Sequence, residues 1–325
     1  MKLKYLFSAL LLFAFVSYPA AAKERVSVAL YFDPAFVAMT YAIRNGKVSS
    51  DLVDIDIHML DINALAQAVS GKRFDILQVT ALAVPRAIIQ GLPLKVIGIS
   101  VTNPPGPGRD IWVKKDSPLR EPKDLKGKTL GTYSLASGAV TLVRIALSKH
   151  YGFNVSAEGG DFVMKQMQSM AMPAALATGQ IDASMLSNVL GYRAGKSGEF
   201  RSLVNTDRII GKMFGSPAVS TVFIGYTERL QAKPEVYRAA LQLLIKSRDY
   251  ARANPDEVFG AVAAERQVEK EYLQIWEEQY QGYPVSISDN HIANLDMLWS
   301  HSKELGIVKD IVPAASTVWD RAVRE

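Results

Sequence analysis

The stretch "TNPPGPGRD", Thr102–Asp110, sets three prolines and two glycines between two apolar, strand-like runs. Proline locks φ and offers no amide proton, and glycine frees the backbone, so neither a strand nor a helix continues through such a segment. Upstream of it, from Arg25, strand and helix patterns alternate. "VSVAL" reads as a buried strand, "PAFVAMTYAIRNG" as a helix closed by Gly46, and "LVDIDIHML" as a strand of period two. "INALAQAVSG" is a helix, "FDILQV" a strand, "TALAVPRAIIQG" a helix with Thr80 at its start, and "LKVIGISV" a strand. Four strands joined by helical crossovers predict a wound, mainly parallel sheet.

Downstream the rhythm restarts. "DIWVKK" and "KTLGTY" read as strands, Ser137 to Tyr151 as a helix stopped by Gly152, and "DFVMKQM" as a strand. "PAALATG" is a helix stopped by Gly179, "IDASML" a strand, "NVLGYRAGKSG" a helix, and "FRSLVN" and "VSTVFIGY" strands. The proline-glycine segment is therefore the passage between two wound domains. After Tyr226 only helices follow, with Pro234 opening one, Asn254 capping the next before Pro255, and Gly306 ending the last. Such a tail needs a sheet to cover, and the simplest topology returns it to the first domain. The expected fold is α/β, with two wound, mainly parallel sheets joined by two crossover strands. Lobe 1 is expected at 23–103 plus 221–325, and lobe 2 at 104–220. Wound sheets bind ligands at the carboxyl ends of their strands, so two facing lobes make a ligand cleft.

The 325 residues suffice for two domains, and 49% hydrophobic with 21% charged residues is a globular composition. Lys2 and Lys4, the apolar run Leu6–Val16 and Ala20-Ala21-Ala22 have the form of a secretory signal peptide over 1–22. The apolar run is well short of the ~20 residues that span a bilayer. With no cysteine there is no disulfide, no thiolate metal site, no thiol nucleophile and no lipid-attachment point. A free periplasmic location is expected. Loss of Lys2 and Lys4 lowers the formal charge from +5 to +3, and the basic residues form no stripe interleaved with aromatics, which argues against nucleic acid.

Four segments carry a family resemblance: "GLPLKVIGIS" (Gly91–Ser100), "SPLREPKDLKGKTLG" (Ser117–Gly131), "SLASGAVTLVRIAL" (Ser134–Leu147) and "MPAALATGQIDASML" (Met172–Leu186). In this order and spacing, from about Val26 to Asp256, the chain resembles the periplasmic substrate-binding proteins of ABC importers. The branch is the nitrate, sulfonate and taurine one, the SsuA/TauA/NMT1-like proteins. The resemblance implies the two-lobed periplasmic binding protein fold of type II. It also implies a monomer that captures a small organic solute, an anion such as a sulfonate or carboxylate, and delivers it to an ABC permease with its ATPase.

The residues themselves point to the strand-to-helix handovers. A helix start presents unpaired backbone N–H groups and partial positive charge, which suit an anion. Ser134 and Ser137 add hydroxyls there, and Gly138 permits close approach to the backbone; alternatively, Ser137 only caps its own helix. The resemblance places this region in the ligand cleft. Thr80, with Gln78 and Ala81 beside it, is the equivalent handover in lobe 1. Ser187 and Asn188 end another strand, and Ser100 and Thr102 end the fourth beside the crossing. Tyr31 and Phe32 are either an apolar wall for an organic solute or core aromatics. Asp33 either caps the helix at Pro34 or favours an amine or hydroxyl donor in the cleft. Arg109 and Arg193 are either forks for a carboxylate or sulfonate or solvated surface residues, with Arg109 nearer the cleft floor.

His58, His150, His291 and His301 stand in no metal-ligand spacing, and the chain carries no nucleophile elbow, P-loop or dinucleotide fingerprint. No metal, no cofactor and no catalytic residue is expected. Two alternatives remain open at this level: an enzyme on the same scaffold acting on a pyrimidine or quinone precursor, and a periplasmic sensor subunit.

Overall fold

The computed structural model describes residues 22–325, so the expected signal peptide lies outside the described residues apart from Ala22. Ten strands form two five-stranded sheets. The first holds β1 (Glu24–Tyr31), β2 (Val53–Leu60), β3 (Ile76–Thr80), β4 (Leu94–Asn103) and β10 (Ala218–Tyr226), in the order β2-β1-β3-β10-β4. The second holds β5 (Arg109–Lys114), β6 (Thr129–Thr132), β7 (Val163–Gln166), β8 (Ala183–Ser187) and β9 (Phe200–Asn205), in the order β7-β6-β8-β5-β9. The two orders are one topology used twice. Each sheet takes four of its own strands and one from the chain that has just crossed over.

The inserted strands are the antiparallel ones: β10 runs against β3 and β4, and β5 against β8 and β9. β1 pairs in parallel with β2 and β3, and β6 with β7 and β8. Both sheets are thus mainly parallel, as a two-lobed α/β fold of type II requires. The first crossing is the Pro104–Gly108 turn between β4 and β5. The return crossing runs through Gly215–Pro217 to β10.

The helical tail covers the first sheet. The helix Pro234–Ala253 packs on β1 and β2, and the helix Asp289–Glu304 lies against β10. Leu241, Leu244, Trp276, Leu298 and Trp299 join Val28, Leu77, Ile97 and Val222 in one core. A smaller core under the second sheet unites Ile111, Val113, Leu130, Val143, Leu147 and Met185. The helix Gly138–Tyr151 belongs to both: Val140, Val143 and Leu147 enter the second core, while Leu142, Ile145 and Ala146 enter the first. Its apolar residues on all sides follow from that double burial.

Four local readings change. The helix expected over Pro34–Gly46 breaks into Pro34–Met39 and Tyr41–Arg44 at Thr40, whose hydroxyl donates to Phe36 O at 2.7 Å and competes with the helical ladder. Thr80 ends β3, and the following helix is Ala83–Ile89. Asn254 does not cap the helix Pro255–Arg266; its amide donates back to Tyr250 O at 2.9 Å. A further helix, Thr206–Phe214, joins β9 to β10 where the sequence reading set two consecutive strands.

Candidate functional site

Four strand-to-helix handovers come together between the lobes: Tyr31–Asp33 after β1, Thr80–Leu82 after β3, Tyr133–Gly138 after β6, and Ser187-Asn188 after β8. All lie at the carboxyl ends of strands, where a wound sheet leaves its crevice. Two contacts join them across the lobes. The Asn188 Nδ2 donates to Asp33 Oδ2 at 3.3 Å. A Cβ placed on Gly138 would stand 2.6 Å from Thr80 Oγ1 and 2.7 Å from Ser220 O. Ser220 sits at a register shift of β10 against β4, between Val219 and Thr221, while on the other side its carbonyl accepts from Ala81 N at 2.9 Å and carries the β10–β3 pairing one residue beyond Thr221–Thr80.

In lobe 2, Ser137 is the N-cap of the helix Gly138–Tyr151, its Oγ accepting from Ala139 N at 3.2 Å. Ser134 is half-buried and closes the preceding turn, its carbonyl accepting from Ser137 N at 3.1 Å. The Tyr133 side chain lies close to Ser137 and Ser187; burial raises its pKa, and the nearby Ser137, Arg109 and Ser187 oppose the rise. Ser187 occupies the N-cap of the helix Asn188–Ser197 without capping it, and Asn188 begins that helix at φ 52, the left-handed region that asparagine tolerates. The Asn188 Oδ1 and Thr80 Oγ1 are buried with no hydrogen-bond partner. Buried acceptors and hydroxyls left in this condition mark places where another polar group fits.

In lobe 1, Asp33 is 5% exposed and caps the helix Pro34–Met39, Oδ1 accepting from Ala35 N at 2.8 Å. Burial pushes its pKa up to about 6, against the pull of the bonds from Ala35 and Asn188. Tyr31 is half-buried beside it, with its pKa raised first by burial and then by the Asp33 charge. Beneath them Gln78 ties the floor together, accepting from Tyr31 N at 2.7 Å and donating to Ser100 Oγ at 2.8 Å.

Several expected residues are placed otherwise. Arg109 is buried and bonded to Asp207 of the helix Thr206–Phe214 and to Asn103 Oδ1, so its fork is already occupied. Burial raises the pKa of Asp207, and that same guanidinium opposes the rise. Thr102 packs on Gly282, exchanging backbone bonds with it at 3.1 and 2.9 Å, and its hydroxyl lies where a Gly282 side chain would begin. Ala81 is fully buried, its carbonyl accepting from Trp299 Nε1 at 3.0 Å. Phe32 is 49% exposed under the Arg266 guanidinium, 5.3 Å from its ring centre, and so stands on the rim. Arg193 pairs at 2.9 Å with Glu269.

That last pair belongs to a set of contacts between the helix Asn188–Ser197 and the segment 269–271. Tyr192 Oη donates to Glu271 Oε2 at 2.7 Å and Lys196 pairs with the same carboxylate, bordering an open cavity of about 500 Å³. Behind it Tyr192 of lobe 2 packs on Tyr272 and Tyr280 of lobe 1, ring centres 5.5 and 6.5 Å away. On another side Lys149 of lobe 2 meets Glu304 at 2.5 Å. The histidines lie elsewhere: His58 beside Asp56, His150 on Tyr151, His291 in the capping box of Ser288, and His301 beside Glu304. Among the described residues no group of three His, Asp or Glu is arranged to hold a metal ion.

Tyr133, Ser220, Asp207, Tyr192 and Tyr272 join the candidate site without being singled out by local sequence. Tyr133 stands in the same handover as Ser134 and was legible there. The other four come from segments whose neighbourhood is set only by the packing of one lobe on the other.

The family model described as NMT1/THI5 like matches residues 64–258, more than half of the chain. No curated protein matches it. Among solved structures, the periplasmic aliphatic sulphonate binding protein SsuA from Escherichia coli is similar with a TM-score of 0.73 at 13% identity, over 93% of this chain and 99% of that one. The alkanesulfonate-binding protein SsuA from Xanthomonas axonopodis pv. citri, bound to MOPS, gives 0.70 at 17% identity, over 92% and 99%. A protein from Archaeoglobus fulgidus gives 0.70 at 17% identity, over 87% and 98%. At these identities the likeness is one of fold.

Proposed function

The chain belongs to the NMT1/THI5-like family, and from that premise we propose that it is an extracytoplasmic solute-binding protein that closes two lobes on a small organic solute. Delivery to an ABC permease with its ATPase completes the proposal, and a periplasmic location follows from the signal-like leader. The carrying observation is the convergence of four handovers, two from each lobe, on one interlobe space. A solute held from both sides binds the closed form better than the open one, and that difference moves the equilibrium. A division into two lobes at the two crossings is supported by the way the strands assort between the sheets; the return boundary expected at 220/221 is drawn back to the start of β10, which lies wholly in the first sheet. The reading is one of binding without turnover, supported by the place of each histidine outside the handovers.

Sulfonates and carboxylates are the first solute classes to try, because SsuA proteins share the fold. With Arg109 engaged by Asp207, the groups offered to such an anion are the helix start at Gly138 and the hydroxyls of Ser137, Tyr133 and Thr80. The test is thermal shift and small-angle scattering with sulfonates, aromatic carboxylates, amino acids and nitrate. The right solute raises the melting temperature and stabilises the compact form. A chain that keeps one shape and one melting temperature with every solute contradicts the proposal.

A further inference from the structure

Between the lobes lies a carboxylate, Asp33, that no cation among the described residues faces. Asp33 is almost completely buried, and the groups acting on it are two hydrogen bonds, from Ala35 N at 2.8 Å and Asn188 Nδ2 at 3.3 Å. With its pKa held near 6, it is mostly ionised at neutral pH. A buried charge without a partner is costly, and sites that retain one are commonly those where a ligand supplies the counter-charge. The basic groups nearby are committed elsewhere: Arg109 to Asp207, Arg193 to Glu269, Lys196 to Glu271, and Arg266 to the Phe32 ring and Glu265.

Polar groups with unused hydrogen-bonding capacity gather around this carboxylate. Asn188 Oδ1 is buried without a partner, and an amide oxygen can only accept. The Tyr272 hydroxyl, on a fully buried residue, is also without a partner and lies close enough for the Asp33 charge to raise its pKa. Tyr31 stands in the same field. Capping alone does not account for an aspartate here, since asparagine or serine would cap the Pro34 helix without burying a charge.

We propose that the bound solute presents a protonated amine or amidine to Asp33 of lobe 1 and Asn188 of lobe 2, so that its cationic end bridges the lobes. The solute is then a cation or a zwitterion, its amine at this place and any acidic end toward the Gly138 helix start. The inference rests on the solute-binding reading and narrows it.

The test uses the mature chain and matched probe pairs: taurine with ethanesulfonate, 4-aminobutyrate with butyrate, and benzamidine with benzoate. Calorimetry is expected to find saturable binding for an amine or amidine member, about tenfold or more tighter than for its partner. Asp33→Asn, which keeps the cap and the shape, is expected to weaken that binding by about 30-fold or more. Without any solute the same variant is expected to melt above the parent at pH 7.5, and Asp33→Ser, also a good cap, to do likewise. The inference is overturned if the amine-free member binds as tightly, if no amine or amidine probe binds, if Asp33→Asn leaves amine binding unchanged, or if both variants melt below the parent. Tight binding of ethanesulfonate or benzoate alone overturns the amine and leaves the solute-binding reading standing. Failure of every probe to change melting or scattering overturns both.

Discussion

Gly138→Ala tests how the two lobes meet. The new methyl group would stand 2.6 Å from Thr80 Oγ1 and 2.7 Å from Ser220 O, where ordinary contact begins near 3.4 Å. The Thr80 hydroxyl belongs to a side chain, but the Ser220 carbonyl is backbone, held by the Ala81 N–H and by β10, so relief comes by moving one lobe from the other. Overpacking of this kind costs about 1–3 kcal/mol. Because the contact is between lobes, that cost falls on the closed form, which shifts the closure equilibrium by about 5- to 150-fold. Helix propensity works in the other direction, alanine being up to about 1 kcal/mol better than glycine in open and closed forms alike. The expected result is a larger radius of gyration and weaker solute binding, with a melting temperature for the unliganded chain that is unchanged or slightly raised. Scattering and calorimetry on the purified variant read both. An unchanged radius together with parental affinity would refute the reasoning, since it would mean that the methyl group is accommodated without parting the lobes.

Three further outcomes follow. Arg109→Met leaves Asp207 buried without its partner and is expected to destabilise the chain by about 3–5 kcal/mol in urea unfolding; a loss below about 1 kcal/mol would contradict the importance of the pair. Ser137→Ala removes the cap on the Gly138 helix and is expected to cost about 1 kcal/mol, and an unchanged unfolding midpoint would dismiss the cap. Burial pushes Asp110 up to about 7 and Asp33 up to about 6, both from 3.8. The folded chain therefore holds protons that the unfolded chain has released, and these sites favour folding less as pH rises through 6 to 7. The unliganded melting temperature is expected to be higher at pH 5.5 than at pH 8, and a profile rising between those values would refute the assignment.

Much of the fold was legible because it is written in local periodicity. The alternation of strand and helix, the glycine stops at Gly152 and Gly179, and the break at Pro104–Gly108 are properties of a few neighbouring residues, and each appears where its chemistry puts it. Ser137 as an N-cap was readable for the same reason. Thr80 was misplaced by three residues because a hydroxyl at the end of a strand and one at the start of a helix look alike until the hydrogen bonds are formed. The helix Thr206–Phe214 was hidden by its position between two strong strand patterns.

The site was less legible. Arg109 follows the crossing in sequence as a free fork would, but its partner Asp207 lies 98 residues further on. Phe32 and Tyr31 are neighbours of similar character, yet one stands on the rim under Arg266 and the other beside Asp33. Nothing local separates them, since alternate residues at a strand end face opposite ways and the identity of the face depends on what packs there.

By itself the sequence determined two wound lobes, the crossing at Pro104–Gly108 and the handovers at which polar side chains gather, because backbone geometry and apolar period act over a few residues. Only the tertiary structure decided which of those side chains remain available. It joined Arg109 to Asp207, set the Gly138 helix between two cores, and brought Asp33 against Asn188 from the other lobe. Charge pairing and close packing act through space, and residues far apart in the chain become neighbours only when the lobes are in place.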